Sequence, residues 1–232
     1  MSNEKSPWYK PNIGPRLKPM IRRVCETWAG IVGKELETHL HCIRDQAWPL
    51  GEYPCIGEWM FLLPSISIFP DSVDIIDRVR VGATVLDVGC CFGQNLRLIA
   101  AEGVSTKKMY ATNINAELWD LGFELFRDRD KMKAKFIHSD ILGKGTNLQL
   151  LNRQIDIIIA CQFLHLFDWN WQLAAMKRVM EFSRHRSVFI GYQRVQVQAQ
   201  EVSRPWGTIY YCWFHRGDHR NTVSIAMVDG CS

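Results

Sequence analysis

The sequence predicts an α/β fold. Its expected parts are a central, mostly parallel sheet with helices on both faces, a helical N-terminal extension and a C-terminal antiparallel hairpin. Three observations carry this. From residue 83 onward, short apolar runs alternate with stretches of helical periodicity, the order of a parallel sheet with right-handed crossovers. The first run, Val85–Val88, ends in the glycine turn of "VLDVGCCFGQN" and leads into a helix. Ile155–Ala160 reads as an apolar run of the kind expected for a strand buried on both faces. In this reading residues 1–80 form the helical extension and a lid, residues 81–232 form the α/β core, and the whole is one globular unit.

The elements follow in order. Residues 1–18 are rich in Pro, Asn and Lys and read as a loose tail. Met20, Val24, Trp28, Ile31 and Val32, then Leu36, Leu40 and Ile43, recur at near-helical spacing, which predicts one long or two shorter amphipathic helices over residues 19–47. A proline- and aromatic-rich segment runs from Trp48 to Pro64, and a short helix is expected over Ser72–Arg80. After the first strand, Val85–Val88, a helix over Gln94–Ala101 stops at Gly103, a C′ position. Met109–Thr112 is the second strand. Asn115 can cap the next helix, which carries Leu118, Leu121, Gly122 and Leu125 on one face. Lys135–His138, Ile155–Ala160 and Ser187–Gly191 are the third, fourth and fifth strands. Before the fifth, a helix started by Asp168 or Asn170 turns Leu173, Met176 and Met180 inward. "TIYYCWF" (208–214) and "TVSIAMV" (222–228) read as the two strands of a hairpin, with a turn signal in "HRGDHRN".

Composition excludes several classes. The net charge is only +4 and the Lys and Arg residues are scattered, so the concentrated basic stripe of a nucleic-acid binder is missing. No run of 18 apolar residues occurs, so no membrane span is expected. "MSNEKSPWYKP" lacks the apolar centre of a secretion signal, which points to the cytoplasm. The eight cysteines then read as reduced thiols. With no CxxC pair and no zinc-like partnering of the histidines, no metal site is expected.

In an open α/β sheet, ligands sit beyond the carboxyl ends of the strands, near the switch point. The expected strand ends carry Asp87 ahead of Gly89, Cys90 and Gly93; then Asn113 and Ile114; then Asp140 and Ile141; then Cys161 and Gln162, with His165 beyond. A dinucleotide fingerprint would run G-x-G-x-x-G, with an acidic residue about 20 positions on. Here the spacing is Gly89-x-x-x-Gly93, and Asn113 occupies the later position. Asp87, two residues before the first glycine, is poorly placed for a pyrophosphate and well placed for an ammonium group. S-adenosylmethionine carries an ammonium, a sulfonium, a ribose diol and an adenine. Asp87 and the turn would take its amino-acid part. Asn113 would bond the ribose hydroxyls, and Asp140 would accept from the adenine N6 amine with Ile141 against the ring. Taken singly, Asp87 could be a helix cap and Asp140 a loop cap; it is their order that points to a cofactor.

The motifs "YPCIG", "LDVGCCFGQ", "WDLGFELFRDRD", "AKFIHSDIL" and "FLHLFDW" resemble the small fungal methyltransferases of meroterpenoid biosynthesis, within the Rossmann-like class I S-adenosylmethionine-dependent methyltransferases. The resemblance covers roughly residues 35–207. It implies methyl transfer to a carboxyl group of a polyketide–terpenoid acid, as in the austinol, terretonin and andrastin pathways. It also implies a cofactor site of Asp87, Gly89, Cys90, Gly93, Asn113, Ile114, Asp140, Ile141 and Gln162. Cys91 stands where the family's first motif has its middle glycine, and Asn113 where the family has an aspartate. Beyond Gly207 the family pattern is no longer followed: either the hairpin 208–228 completes the sheet in shortened form, or the tail is an aberrant end that leaves the sheet edge poorly covered and prone to aggregation.

A carboxylic acid, with a pKa of about 4, is already ionised at neutral pH and needs no general base. A phenol or enol would need one, and His165 is the candidate, its other reading being a core histidine. Tyr53 is placed in a lid, Trp169 along an apolar terpenoid pocket and Arg194 against a carboxylate; each also has a plain packing or solvated reading. Two other classes stay open at this level: a nicotinamide oxidoreductase, and a cofactor-binding protein without transferase activity.

Overall fold

The computed structural model describes residues 6–143, 147–192, 200–204, 207–211 and 224–228. They fall into two compact units. One comprises Met1–Arg80, Cys90–Lys107 and Asn115–Ala134; the other comprises Val81–Gly89, Lys108–Ile114 and Lys135–Ser232.

The second unit holds the sheet. Its strands are β1 (Val85–Val88), β2 (Met109–Asn113), β3 (Lys135–His138), β4 (Ile155–Ile159) and β5 (Ser183–Gly191), then β6 (Gln200–Arg204), β7 (Gly207–Tyr211) and β8 (Ser224–Val228). The main sheet runs β3-β2-β1-β4-β5-β8. β1 to β5 are parallel and β8 is antiparallel on β5. The chain therefore winds outward from β1 in one direction through β2 and β3, and in the other through β4 and β5. The switch point lies at β1 and β4, where a doubly wound sheet opens a crevice at its carboxyl edge.

The expected parallel sheet is present, but the expected pairing of 208–214 with 222–228 is not the one formed. β7 pairs with β6, with Val202 opposite Ile209, while β8 joins the sheet, with Phe189 opposite Ala226. Two physical preferences explain the exchange. β5 would otherwise leave an open edge. And β6 and β7 are separated by two residues, the commonest hairpin length, whereas the expected pair was joined by a longer loop.

Helix α7 (Trp169–Phe182) packs on one face of this sheet. Ala175, Val179 and Phe182 share a buried cluster with Leu86, Val88, Ile155, Ile158 and Phe189. The inward stripe is offset from the expected one: Leu173 is 44% exposed and Trp171 54%. Asp168 caps the helix, its carboxylate accepting the Trp171 N–H at 3.0 Å. At the opposite edge, β4 is tied to the start of β1. Asp156 accepts the Thr84 N–H at 2.8 Å and its hydroxyl at 2.9 Å, and pairs with Arg184.

The first unit is helical: α1 (Pro19–Thr27), α2 (Glu35–Ala47), α3 (Pro54–Gly57), α4 (Ser72–Arg80), α5 (Gln94–Ala101) and α6 (Ala116–Leu125). The region 19–47 is two helices. The chain between them turns through Gly30 and Gly33, whose φ values of 70° and 64° no helix continues. α1 packs on α5 and α2 on α6. As expected, Asn115 caps α6, accepting the N–H groups of Glu117 and Leu118, and Leu118, Leu121, Gly122 and Leu125 are buried.

Candidate functional site

Within the sheet unit, the expected residues gather behind the carboxyl ends of four adjacent strands. Asp87, 1% exposed, is the third residue of β1, level with Ala111 on β2 and Ile159 on β4. Strand alternation turns its side chain away from the face that Leu86 and Val88 give to α7. A carboxylate this buried at a switch point is costly unless it meets hydrogen bonds or a cation.

Gly89 continues the ladder for one step, its N–H bonding to the Thr112 carbonyl at 2.9 Å. It then turns into the left-handed region with φ of 68°. Asn113, half-buried, ends β2, and its carbonyl accepts the Ser139 N–H at 3.2 Å. Ile114 follows with 64% exposure, the kind of apolar side chain a flat ring can cover. Asp140 is exposed, and one carboxylate oxygen accepts the Leu142 N–H at 2.9 Å, so the loop holds it in place. Ile141 is 5% exposed and packs in the core cluster under α7.

Past β4, Gln162 adopts φ of 53°, with its N–H on the Tyr192 carbonyl at 2.7 Å. His165 lies in the single turn Leu164–Leu166, against which β7 packs. Trp169 opens α7 and is 45% exposed. Arg194 lies outside the described residues.

Within the helical unit, Tyr53 stands immediately before α3 and is half-buried. Burial raises its phenol pKa, and the neighbouring Cys55 and Cys91 thiols add to the rise. Cys91 carries φ of 50°, a left-handed conformation that costs a residue with a Cβ. Its thiol is hydrogen-bonded to that of Cys55, and this bond together with burial pushes its pKa well up. The 53–55 segment therefore lies on the glycine turn. Cys90 is buried, and its carbonyl accepts the Gly93 N–H at 2.7 Å, closing the turn ahead of α5. Among the described residues no three side chains of metal-ligating type gather into a site.

One observation within the helical unit fits a bound polar ligand. In the first turn of α5, Gln94 Oε1 is buried and finds no hydrogen-bond partner among the described residues. Gln94 was missed from sequence, although a polar residue directly behind the last glycine of the turn was the available signal. Phe163, which packs against Gly89, was not singled out from the sequence either.

The family described as "Meroterpenoid methyltransferase N-terminal domain" matches residues 8–62, and the family described as "Methyltransferase domain" matches residues 85–184. The chain is 32% identical over 202 residues to the O-methyltransferase phiE of a fungal species (strain ATCC 74256), covering 85% of this chain and 67% of that one. It is 33% identical over 196 residues to the O-methyltransferase atr3 of Stereocaulon alpinum, covering 83% and 56%. It is 37% identical over 166 residues to the asnovolin E/chermesin D methyltransferase nvfJ of Aspergillus novofumigatus, covering 71% and 60%. The chain thus spans between just over half and two thirds of the length of these relatives.

Proposed function

The chain belongs to the fungal meroterpenoid methyltransferase family, and from that premise we propose that it moves the methyl group of S-adenosylmethionine onto an oxygen of a polyketide–terpenoid acid, forming a methyl ester. The observation that carries the reading is Asp87: a carboxylate 1% exposed on the central strand, directly ahead of a glycine turn. A pyrophosphate would be repelled there, whereas an ammonium group would be attracted.

S-adenosylmethionine, when bound, supplies a methyl group on a positively charged sulfur. The residues of this chain do the rest. Asp87 receives the ammonium, and the turn of Gly89, Cys90 and Gly93 receives the backbone of the amino-acid end. Asn113 bonds the ribose hydroxyls. Asp140 accepts from the adenine amine, with Ile114 and Ile141 on the ring side, and Gln162 borders the reacting end. Tyr53, Trp169 and Arg194 are assigned to the acceptor: Tyr53 as part of a lid in the 1–80 extension, Trp169 as an apolar wall and Arg194 as a partner for the acid. The Cys55–Cys91 thiol contact supports the lid, because it seats the 53–55 segment on the turn.

The reaction neutralises charge, since a carboxylate and a sulfonium become an ester and a thioether. A dry, apolar site favours it, and alignment of oxygen, methyl and sulfur supplies most of the remaining gain. No proton has to move for a carboxylate acceptor; for a phenol or enol, His165 is the base. No described helix is long and apolar enough to cross a membrane, and the cytoplasm is the location proposed.

Titration calorimetry with S-adenosylhomocysteine tests the reading. The wild-type chain is expected to bind and Asp87→Ala to show no measurable heat; undiminished binding by the variant would sink the assignment.

A further inference from the structure

The glycine turn is held from behind by a buried ion pair. Phe92 lies one residue before Gly93, the N-cap of α5, so its carbonyl stands outside the helical ladder. Arg97 Nη1 donates to that carbonyl at 2.6 Å. The other end of the same peptide unit, the Gly93 N–H, donates to the Cys90 carbonyl at 2.7 Å. One peptide plane is thus gripped at both its polar atoms.

The rest of the guanidinium is fixed in turn. Nε and Nη2 donate to the two carboxylate oxygens of Asp128 at 2.9 and 3.1 Å, and both side chains are 0% exposed. The rings of Trp119, Phe123 and Phe126 stand 4.9, 5.2 and 5.1 Å from its central carbon. Trp28 Nε1 then donates to Asp128 Oδ2 at 2.8 Å, so the pair is bonded to the segment just behind α1. Two glycines make room. A Cβ on Gly93 would come within 2.5 Å of Arg97 Nη1, and one on Gly122 would collide with the Phe92 carbonyl.

We propose that Arg97 is a positioning residue for the cofactor turn, and that Asp128 and Trp28 transmit the placement of the N-terminal helices to it. A buried ion pair is a poor source of stability, because apolar residues of similar volume often do as well. What apolar residues could not supply is the third bond, from the fork to the turn. Lysine, with one nitrogen, cannot hold Asp128 and the Phe92 carbonyl in the same fixed geometry. The functional half of this inference rests on the methyltransferase reading; the mechanical half does not.

The test compares Arg97→Lys and Trp28→Phe with Leu40→Ala, a truncation of a fully buried apolar side chain in α2. Two readouts are taken below the melting point of each variant: amide hydrogen exchange over residues 89–95, and the dissociation constant for S-adenosylhomocysteine. Arg97→Lys is expected to speed exchange at Gly93 and weaken binding, each by about tenfold, and Trp28→Phe by a few-fold. Leu40→Ala is expected to lower the melting temperature and change neither. If Arg97→Lys does not fold, Trp28→Phe carries the comparison, since it leaves the ion pair intact. Wild-type exchange in the turn of both variants, or the same acceleration in Leu40→Ala, overturns the proposal. Failure of the wild-type chain to bind S-adenosylhomocysteine counts against the methyltransferase reading instead, and the exchange rates still decide the clamp.

Discussion

Gly89 packs against Phe163: a Cβ placed on Gly89 would come within 2.6 Å of Phe163 Cδ2. The glycine is also held at φ of 68°, so an alanine there meets two penalties, backbone strain and a clash with an aromatic that is itself 8% exposed. Gly89→Ala is expected to cost about 1–3 kcal/mol and to abolish binding of S-adenosylhomocysteine. In a Phe163→Ala background the clash is gone and only the strain remains. The cost of Gly89→Ala should therefore be smaller there, a coupling that a double-mutant cycle in urea reads directly. Additive effects would show that the two residues do not meet.

Asp156 gives a pH dependence with a definite sign. Burial by itself raises its carboxyl pKa, but the Thr84 N–H and hydroxyl, with Arg184, outweigh burial and hold it below the usual value. The unfolded chain has the ordinary pKa of about 3.9. The stabilisation is therefore fully present above that value, and is lost as pH falls through the lower, folded one. The Arg184 side chain is 54% exposed, so most of the effect belongs to Thr84. Asp156→Asn is expected to lose about 1–3 kcal/mol at pH 7. The gap in melting temperature between variant and wild type should narrow at pH 3. A gap that stays constant with pH would contradict the assignment.

Asn113 stands at the end of β2, where the proposed function gives its amide the ribose hydroxyls. A charge-assisted bond to a hydroxyl is roughly twice as strong as a neutral one. Asn113→Asp is therefore expected to tighten S-adenosylhomocysteine by about three- to tenfold, with little change in melting temperature. The same substitution should not alter the affinity for adenosine analogues lacking both ribose hydroxyls. An equal gain with those analogues would place Asn113 away from the ribose.

Much of this was legible in the sequence because it is written locally. Val85–Val88, Gln94–Ala101 and Lys135–His138 have the bounds that their periodicity predicts, and Asn115 caps the helix it precedes. The strand ends could be read in order, since a parallel sheet puts its ligand-facing residues directly behind each apolar run. What could not be read depends on distant partners. β8 belongs to β5 and β7 to β6, a choice set by which edge is open and not by the strands' own composition. The phase of α7 is set by what it packs on: Ala175, Val179 and Phe182 meet the sheet, and Leu173 faces outward although its spacing from Met176 and Met180 suits an inner face. Nothing in "QNLRLIAA" marks Arg97; only the fold brings Asp128, 31 residues on, against its guanidinium.

His165 separates the possible acceptors. It sits in the turn after β4, half-buried, with β7 packed against that turn. If the acceptor is a carboxylate, it is ionised throughout the working pH range and the methyl transfer needs no base. His165→Asn is then expected to leave kcat within about threefold of wild type, since general-base catalysis would contribute about 10²–10⁴-fold. The pH–rate profile should be flat from about pH 6 to pH 9, because no group titrates in the transfer. A phenolic acceptor reverses both expectations: the rate becomes pH-dependent, because the acceptor must lose a proton, and His165→Asn loses at least about a hundredfold. Steady-state rates on a hydroxyaryl acid whose phenol is blocked as an ether, and on the same acid with its carboxyl blocked as an ester and its phenol free, measured side by side across that range, assign the methylated oxygen and the role of His165 in one experiment.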